Sequence, residues 1–183
     1  MLDEPCIKAD PRRRGKEKAG IHCRTAPSSS FSRPMPAPDP DAERERDAET
    51  AVWQIYRELD ERRITRSCTL RTECCRFRLT GKVPLLTRGE ALVAMRTLRA
   101  AGRKSVPTSP DGECPILDPT SARCRIYEGR PFGCRTHFCD AAGGPYARRD
   151  VIDLIRRLEE IDRALSGRGA MSLPAALSAV IRK

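Results

Sequence analysis

The cysteines of this 183-residue chain are concentrated in one middle segment. Seven of the nine form two groups: Cys68, Cys74 and Cys75, then Cys114, Cys124, Cys134 and Cys139. Thiols this dense in a small chain usually hold it together, either through disulfides or through a metal. The choice between these two bonds decides what the chain can fold into.

Two features of the sequence favour a metal. The count of nine cysteines is odd, so disulfides could not pair all of them within one chain. The basic stretch RRRGKEK is not followed by an apolar segment, so we expect no secretory signal. No apolar run reaches the roughly 20 residues that a membrane span needs. We therefore expect a cytoplasmic protein without a membrane segment, in a reducing compartment where disulfides are rare.

The composition leaves little for an apolar core. Aromatic residues make up 4% of the chain, charged residues make up 33%, and Trp53 is the only tryptophan. A bound metal would offset this deficit by linking segments that side chains alone hold weakly. The net charge of +10 favours a polyanion or an acidic protein as partner, without indicating a fold.

The chain divides into two parts by composition. Residues 1–38 are rich in Pro, Ser, Arg and Lys and lack an apolar period, which predicts a disordered basic tail. Met35 lies in this tail and is a possible start of the natural protein. Residues 39–183 are predicted to form a cysteine-cluster metal-binding domain.

Apolar periodicity predicts four helices in that domain, over about 41–63, 87–102, 147–166 and 173–181. Thr87 and Glu90 form a capping box at the second helix, whose apolar stripe is Leu92, Met95 and Leu98. Residues 83–86 read as extended and 124–127 as a short strand. The predicted fold class is mainly α: a small helical domain packed around irregular cysteine-rich loops that hold a metal centre.

Thiolates are the ligands preferred by zinc and by iron–sulfur clusters. The chain lacks the short C-x2-4-C pairs common in zinc sites. Because adjacent side chains diverge, Cys74 and Cys75 are expected to serve two metals, or one metal while the other thiol packs. Seven thiols exceed one four-ligand site, which leaves either one site with spare cysteines or a polynuclear centre. His137 and Cys23 are candidates for a further ligand, against a surface imidazole and a stray tail thiol.

Several fixed residues besides cysteine carry a family resemblance. The pieces CPILD, CRIYEGRPFGCR and THFC, preceded by a CC pair and VPLLTRGE, resemble the YkgJ-type cysteine-cluster family, known by its CxxCxxCC motif. The resemblance covers residues 68–139 and implies a zinc- or iron-chelating domain. The ligands it implies are Cys68, Cys74, Cys75, Cys114, Cys124, Cys134 and Cys139.

One position departs from the family pattern. Arg71 stands where CxxCxxCC has its second cysteine, and an arginine cannot ligate a metal. The site is then incomplete, refilled by His137 or Cys23, or open to water or a substrate. A similar cysteine pattern in the flagellin lysine methylase group keeps an iron–sulfur cluster open as an alternative to zinc. We expect Arg130 or Arg135 to hydrogen-bond carbonyls or thiolates of the cluster.

The motifs that would name a reaction are missing, since the chain has no Gly-rich phosphate loop, no HExxH and no GxSxG. The favoured function is a cytosolic metal-binding protein with a cysteine-ligated zinc or iron–sulfur centre, in a structural, redox or metal-handling role. Two alternatives stay open. One is a nucleic-acid-binding zinc module, supported by the basic charge, and the other is a metalloenzyme with an open coordination position.

Overall fold

The computed structural model describes residues 39–62, 66, 72–109 and 112–181. They belong to one compact unit, Ala37–Lys183. The described part is mainly helical, as predicted, with helices α1 Pro40–Glu61, α2 Phe77–Thr80, α3 Arg88–Ala100, α4 Phe132–Thr136, α5 Ile152–Ala164 and α6 Leu173–Ile181. The predicted tail, with Cys6, Cys23 and Met35, lies outside the described residues.

Helix α1 begins and ends within two residues of its prediction. Asp39 caps it by accepting the Asp41 N–H at 3.1 Å, and Pro40 occupies the first turn, where a missing N–H costs nothing. One face of the helix is buried against the rest of the domain. Its members are Val52, Ile55, Tyr56 and Leu59, each at most 2% exposed.

Helix α3 lies at the centre of the domain, packed against α1 and α5 on one side and against α6 on the other. Its capping box is present as predicted, because Glu90 accepts the Thr87 N–H at 3.0 Å. The predicted apolar stripe was incomplete. Met95 and Leu98 are buried, but Leu92 is only half-buried and Val93 is fully buried in its place. A helix covered on two sides buries more than one stripe.

A two-stranded antiparallel sheet ties the start of α3 to α6. Strand β1, Leu85–Leu86, pairs with strand β2, Met171–Ser172, so that Leu85 lies opposite Ser172. The predicted last helix is confirmed, and of the predicted extended segment 83–86 the strand covers Leu85–Leu86. The third predicted helix is broken at Val151 into a 3-10 turn, Arg148–Asp150, and α5.

The segment between α3 and α5 is mostly loop and carries the second cysteine group. The predicted strand 124–127 was wrong: the only extended pairing recorded there is an isolated bridge between Leu117 and Cys124. The chain turns at 125–129, where Gly129 packs against Thr97 so closely that a Cβ would lie 2.3 Å from the Thr97 Oγ1. None of the helices in the described part of the chain combines the length and the apolar character that a membrane span requires.

Candidate metal centre

Five cysteines from three separate segments line one cavity of about 600 Å³. They are Cys74, Cys75, Cys114, Cys124 and Cys134. All six cysteines that the structure describes are thiols, with no disulfide among them. The two cysteine groups, separate in sequence, therefore meet at one place.

The first pair lies on a single 3-10 turn, Glu73–Cys75. The residue before this turn, Thr72, has a φ of 57°, a conformation that a β-branched side chain rarely adopts. The turn is closed by the Cys75 N–H, which donates to the Thr72 carbonyl at 2.9 Å. The side chains of Cys74 and Cys75 are hydrogen-bonded to each other. Two thiols that the sequence suggested would diverge thus line the same cavity.

Cys114 joins the first group to the second. Its backbone N–H donates to the Cys75 carbonyl at 2.8 Å, and its thiol is hydrogen-bonded to the Cys75 side chain. Cys114 is 8% exposed. A chain of thiol contacts therefore runs from Cys74 through Cys75 to Cys114.

Cys124 is held by a closed loop built on Asp118. The Asp118 carboxylate accepts the N–H groups of Thr120 and Ser121 at 2.9 and 3.1 Å, and these bonds lower its pKa. It also pairs with Arg125 at 2.9 Å. This small polar network fixes the turn that returns the chain to the bridge between Leu117 and Cys124.

Cys134 is carried by the short helix α4, and the buried Glu90 sets the position of that helix. The Glu90 side chain, on α3, accepts the Phe132 N–H at 2.8 Å as well as the Thr87 N–H. Glu90 is only 2% exposed; burial raises its pKa, and the hydrogen bonds that it accepts oppose that rise. The sequence predicts Glu90 as a helix cap but carries no signal for this second contact, which joins residues 42 positions apart.

Arg135 holds the loop in front of α4. Its guanidinium, 4% exposed, pairs with Asp60 of α1 at 2.9 Å and lies over the Tyr56 ring. It also donates to the carbonyls of Arg130, at 3.0 Å, and Glu128. The expectation that an arginine here binds backbone carbonyls is confirmed for Arg135.

In the absence of a cation, raised pKa values favour the neutral form of four cavity thiols, Cys74, Cys75, Cys124 and Cys134. A hydrogen bond with Cys114 is the largest cause that raises the pKa of Cys75, to about 12. Burial raises the pKa of Cys124 and Cys134, while the Arg130 guanidinium opposes the rise at Cys124. A bound metal cation reverses this preference, because a coordinating thiol is deprotonated outright.

The other predicted ligands are placed differently. His137 lines the same cavity, whereas Cys139 is not among the residues of its wall. Cys139 instead begins a 3-10 turn, Asp140–Ala142. Cys68 lies outside the described residues, and so does Arg71 at the family's missing cysteine.

The donor chemistry suits a thiolate-bound metal, but the ligands are not assembled. Among the residues described, no three Cys, His, Asp or Glu side chains are arranged so that they could hold a metal ion as they stand. The thiols contact one another instead. Metal binding therefore requires the side chains to exchange these thiol contacts for a common centre.

Comparison with known proteins gives one match. Residues 66–150 match the family model CxxCxxCC, described as "Putative zinc- or iron-chelating domain", and this confirms the family resemblance seen in the sequence. The matched range contains all five cysteines of the cavity and indicates a zinc- or iron-chelating function. Searches of curated proteins and of solved structures found no match.

Proposed function

Because residues 66–150 match the CxxCxxCC family, we propose that this chain is a metal-binding protein whose cavity thiols hold a zinc ion or an iron–sulfur centre. The observation that carries the proposal is the convergence of Cys74, Cys75, Cys114, Cys124 and Cys134 on one cavity. Four thiolates suffice for a structural zinc site or a cluster, so five thiols on one wall exceed the requirement.

We propose that the main role of the metal centre is structural, namely to link the loops that carry the thiols. The three segments that bring the thiols lie outside the long helices, and the contacts recorded between them include one backbone hydrogen bond, from Cys114 to Cys75. When bound, the metal would replace the contact between the Cys75 and Cys114 thiols with bonds that join all of these segments. A structural centre of this kind contributes directly to folding free energy. The same centre is also compatible with a redox or metal-handling role. We propose that the protein acts in the cytoplasm.

The ligand set of the proposal is narrower than the set implied by the family. We draw it from the five thiols of the cavity wall, with His137 as the nearest nitrogen donor in the same wall. Cys139 lies off that wall and provides a matched control. Cys68 is proposed as a further ligand from the family pattern alone.

The test is elemental analysis and an absorption spectrum of protein purified without oxygen, comparing the wild type with Cys134→Ser and Cys139→Ser. We expect stoichiometric zinc in a colourless protein, or iron with visible absorbance that dithionite bleaches. Cys134→Ser should retain less of this metal than the wild type, because it leaves the cavity without a spare thiol, and Cys139→Ser should keep it. Wild-type protein that is folded, monomeric and metal-free would refute the proposal.

Part of the basic charge on the helical surfaces is already paired, which weakens the nucleic-acid alternative. Three of the helix arginines form ion pairs with glutamates, in Arg88–Glu45, Arg96–Glu49 and Arg157–Glu58. Cations already paired in this way have less charge to offer to phosphates. We therefore place the metal centre ahead of nucleic-acid binding.

A further inference from the structure

The cavity beside the thiols is far larger than a metal ion needs. Its volume of about 600 Å³ equals roughly twenty waters at about 30 Å³ each. Zinc binds thiolate sulfurs at about 2.3 Å, so a tetrahedral site would occupy a small part of that space. Pockets for organic ligands span about 300 to 1,000 Å³, and this cavity falls within that range.

The charged groups of the cavity wall are all cationic. Lys82, Arg123 and Arg130 line it, and the described wall residues include no Asp or Glu. None of these three cations makes an ion pair with a carboxylate of the described part of the chain. By comparison, Arg88, Arg96 and Arg157 on the helices each pair with a glutamate. Three cations around one cavity, with no counterion among the described residues, create a positive potential that attracts an anion.

The rest of the wall is apolar and aromatic. Phe77, Ile116 and Leu173 close it on the core side, while Tyr127 and Phe138 add ring surfaces. Val83, 40% exposed, also lines it. Such walls accommodate a molecule with an apolar body, and the cations select one that also carries an anionic group.

The three cations divide into two roles. The Arg130 guanidinium lies 3.9 Å above the Tyr127 ring and donates to the Tyr127 carbonyl at 3.1 Å. Its charge acts on the thiols, since it opposes the raised pKa of Cys74 and Cys124. Lys82 and Arg123 are exposed, and neither side chain donates a hydrogen bond to a residue of the described part of the chain. Their charges are therefore available to a ligand that enters from solvent.

We propose that the cavity binds a small organic oxyanion, a carboxylate, sulfonate or phosphate on an apolar body, with its charge held by Lys82 and Arg123. The inference rests on the proposed function in one respect: the thiols and Arg130 are taken up by the metal centre, which leaves the other two cations to the ligand. It names the ligand class for the open space beside that centre.

The test uses the full chain with its purified metal content, and the probe is 8-anilinonaphthalene-1-sulfonate, whose fluorescence rises in apolar surroundings. Benzoate and benzamide serve as competitors of nearly equal shape that differ in charge. The variant is the double substitution Lys82→Gln and Arg123→Gln. The matched control is Arg103→Gln with Lys104→Gln, two exposed cations outside the cavity wall that cost the same net charge. Metal content is measured on every sample.

We expect one probe molecule per chain, displaced by benzoate and not by benzamide. The cavity variant should bind the probe roughly tenfold more weakly or worse, as expected when charge-assisted contacts are lost, while the control binds like the wild type. Metal content should be unchanged in both. Equal competition by benzamide, wild-type affinity in the cavity variant, or equal weakening in the control would overturn the proposal.

Two further outcomes separate this inference from the metal proposal. If the cavity variant loses its metal, the two cations serve the centre and the oxyanion site is wrong. If the wild type carries no metal yet binds the probe through Lys82 and Arg123, the oxyanion site stands and the metal proposal fails.

Discussion

The helical part of the domain and its cysteine cavity differ in how their apolar and charged side chains are packed and paired. Around α1, α3 and α5, apolar side chains such as Val52, Val93 and Leu154 are fully buried, and several surface arginines pair with glutamates. Around the cavity, thiols contact one another, about 600 Å³ of space is open, and three cations have no counterion among the described residues. The helices pack against one another without a ligand, whereas the cavity has the groups and the space that a metal and an anion would need.

This difference points to the cavity as the functional region, because its open space and its charged groups are not accounted for by packing. A helix face that is buried and paired needs no ligand to explain it. The proposed metal and anion would account for the cavity, where thiols lie beside cations that have no counterion in the described part of the chain. Glu90 and Arg135 connect the two regions, so changes there should show how far each depends on the other.

The largest effect is expected from Glu90→Ala. This change removes the acceptor of the Phe132 and Thr87 N–H groups, which then remain buried without partners. We expect a loss of about 3 kcal/mol in the free energy of unfolding, measured by urea denaturation. The control is Glu159→Ala, an exposed residue of α5, which should change stability by less than about 0.5 kcal/mol.

The same variant tests the link between the regions. Since Glu90 positions the helix that carries Cys134, we expect its metal content to fall as well. If the variant loses stability but keeps all of its metal, the cavity does not depend on the contact between Glu90 and Phe132.

A smaller effect is expected from Arg135→Ala, which removes the ion pair with Asp60 and two bonds to loop carbonyls. We predict a loss of about 2 kcal/mol in urea denaturation, because the carbonyls and the stacked Tyr56 ring lose a buried donor. Arg135→Lys should recover only part of it, since lysine lacks the planar fork.

Asp60 gives the matched comparison for this pair. Its side chain is 60% exposed, against 4% for Arg135, so Asp60→Ala should cost about 1 kcal/mol or less. Equal losses in Arg135→Ala and Asp60→Ala would mean that the ion pair, and not the grip on the loop, is what Arg135 contributes.

The helices could be predicted from sequence because their signals are local. Periodicity gave α6 at its observed bounds, and the capping box of Thr87 and Glu90 marked the start of α3. Leu92 was misplaced because burial in α3 depends on two packing partners that the sequence does not reveal. In place of the strand predicted at 124–127 the chain makes a turn, in which Gly129 packs against Thr97 of α3. This tertiary contact cannot be predicted from the local sequence.

The candidate site was predictable in residue type and not in geometry. The cysteine groups and the family motif pointed to the thiols, and five of the seven line one cavity. Cys139 has the same local signal as Cys134 but lies off the wall, because α4 ends between them. The role proposed for Lys82 and Arg123 could not be predicted in a chain with 35 basic residues, because only the fold shows which of them line the cavity.

A further effect is expected from alkaline pH on metal-free protein. The pKa of Cys75 is raised from 9.0 in an ordinary thiol to about 12 in the fold, so unfolded chains release thiol protons first. The unfolded state then binds fewer protons, and the free energy of unfolding should fall as pH rises above 9. Thiolates bound to metal carry no proton, so the metal-loaded protein should lack this fall. Equal slopes in paired denaturant titrations would contradict metal binding at these thiols.

The central claim is that cavity thiolates hold the metal, and X-ray absorption at the metal edge of the purified protein tests it most directly. We predict a shell of sulfur ligands, at about 2.3 Å if the metal is zinc, reduced in Cys134→Ser and unchanged in Cys139→Ser. A metal surrounded only by nitrogen and oxygen, with a spectrum that neither substitution alters, would contradict the account.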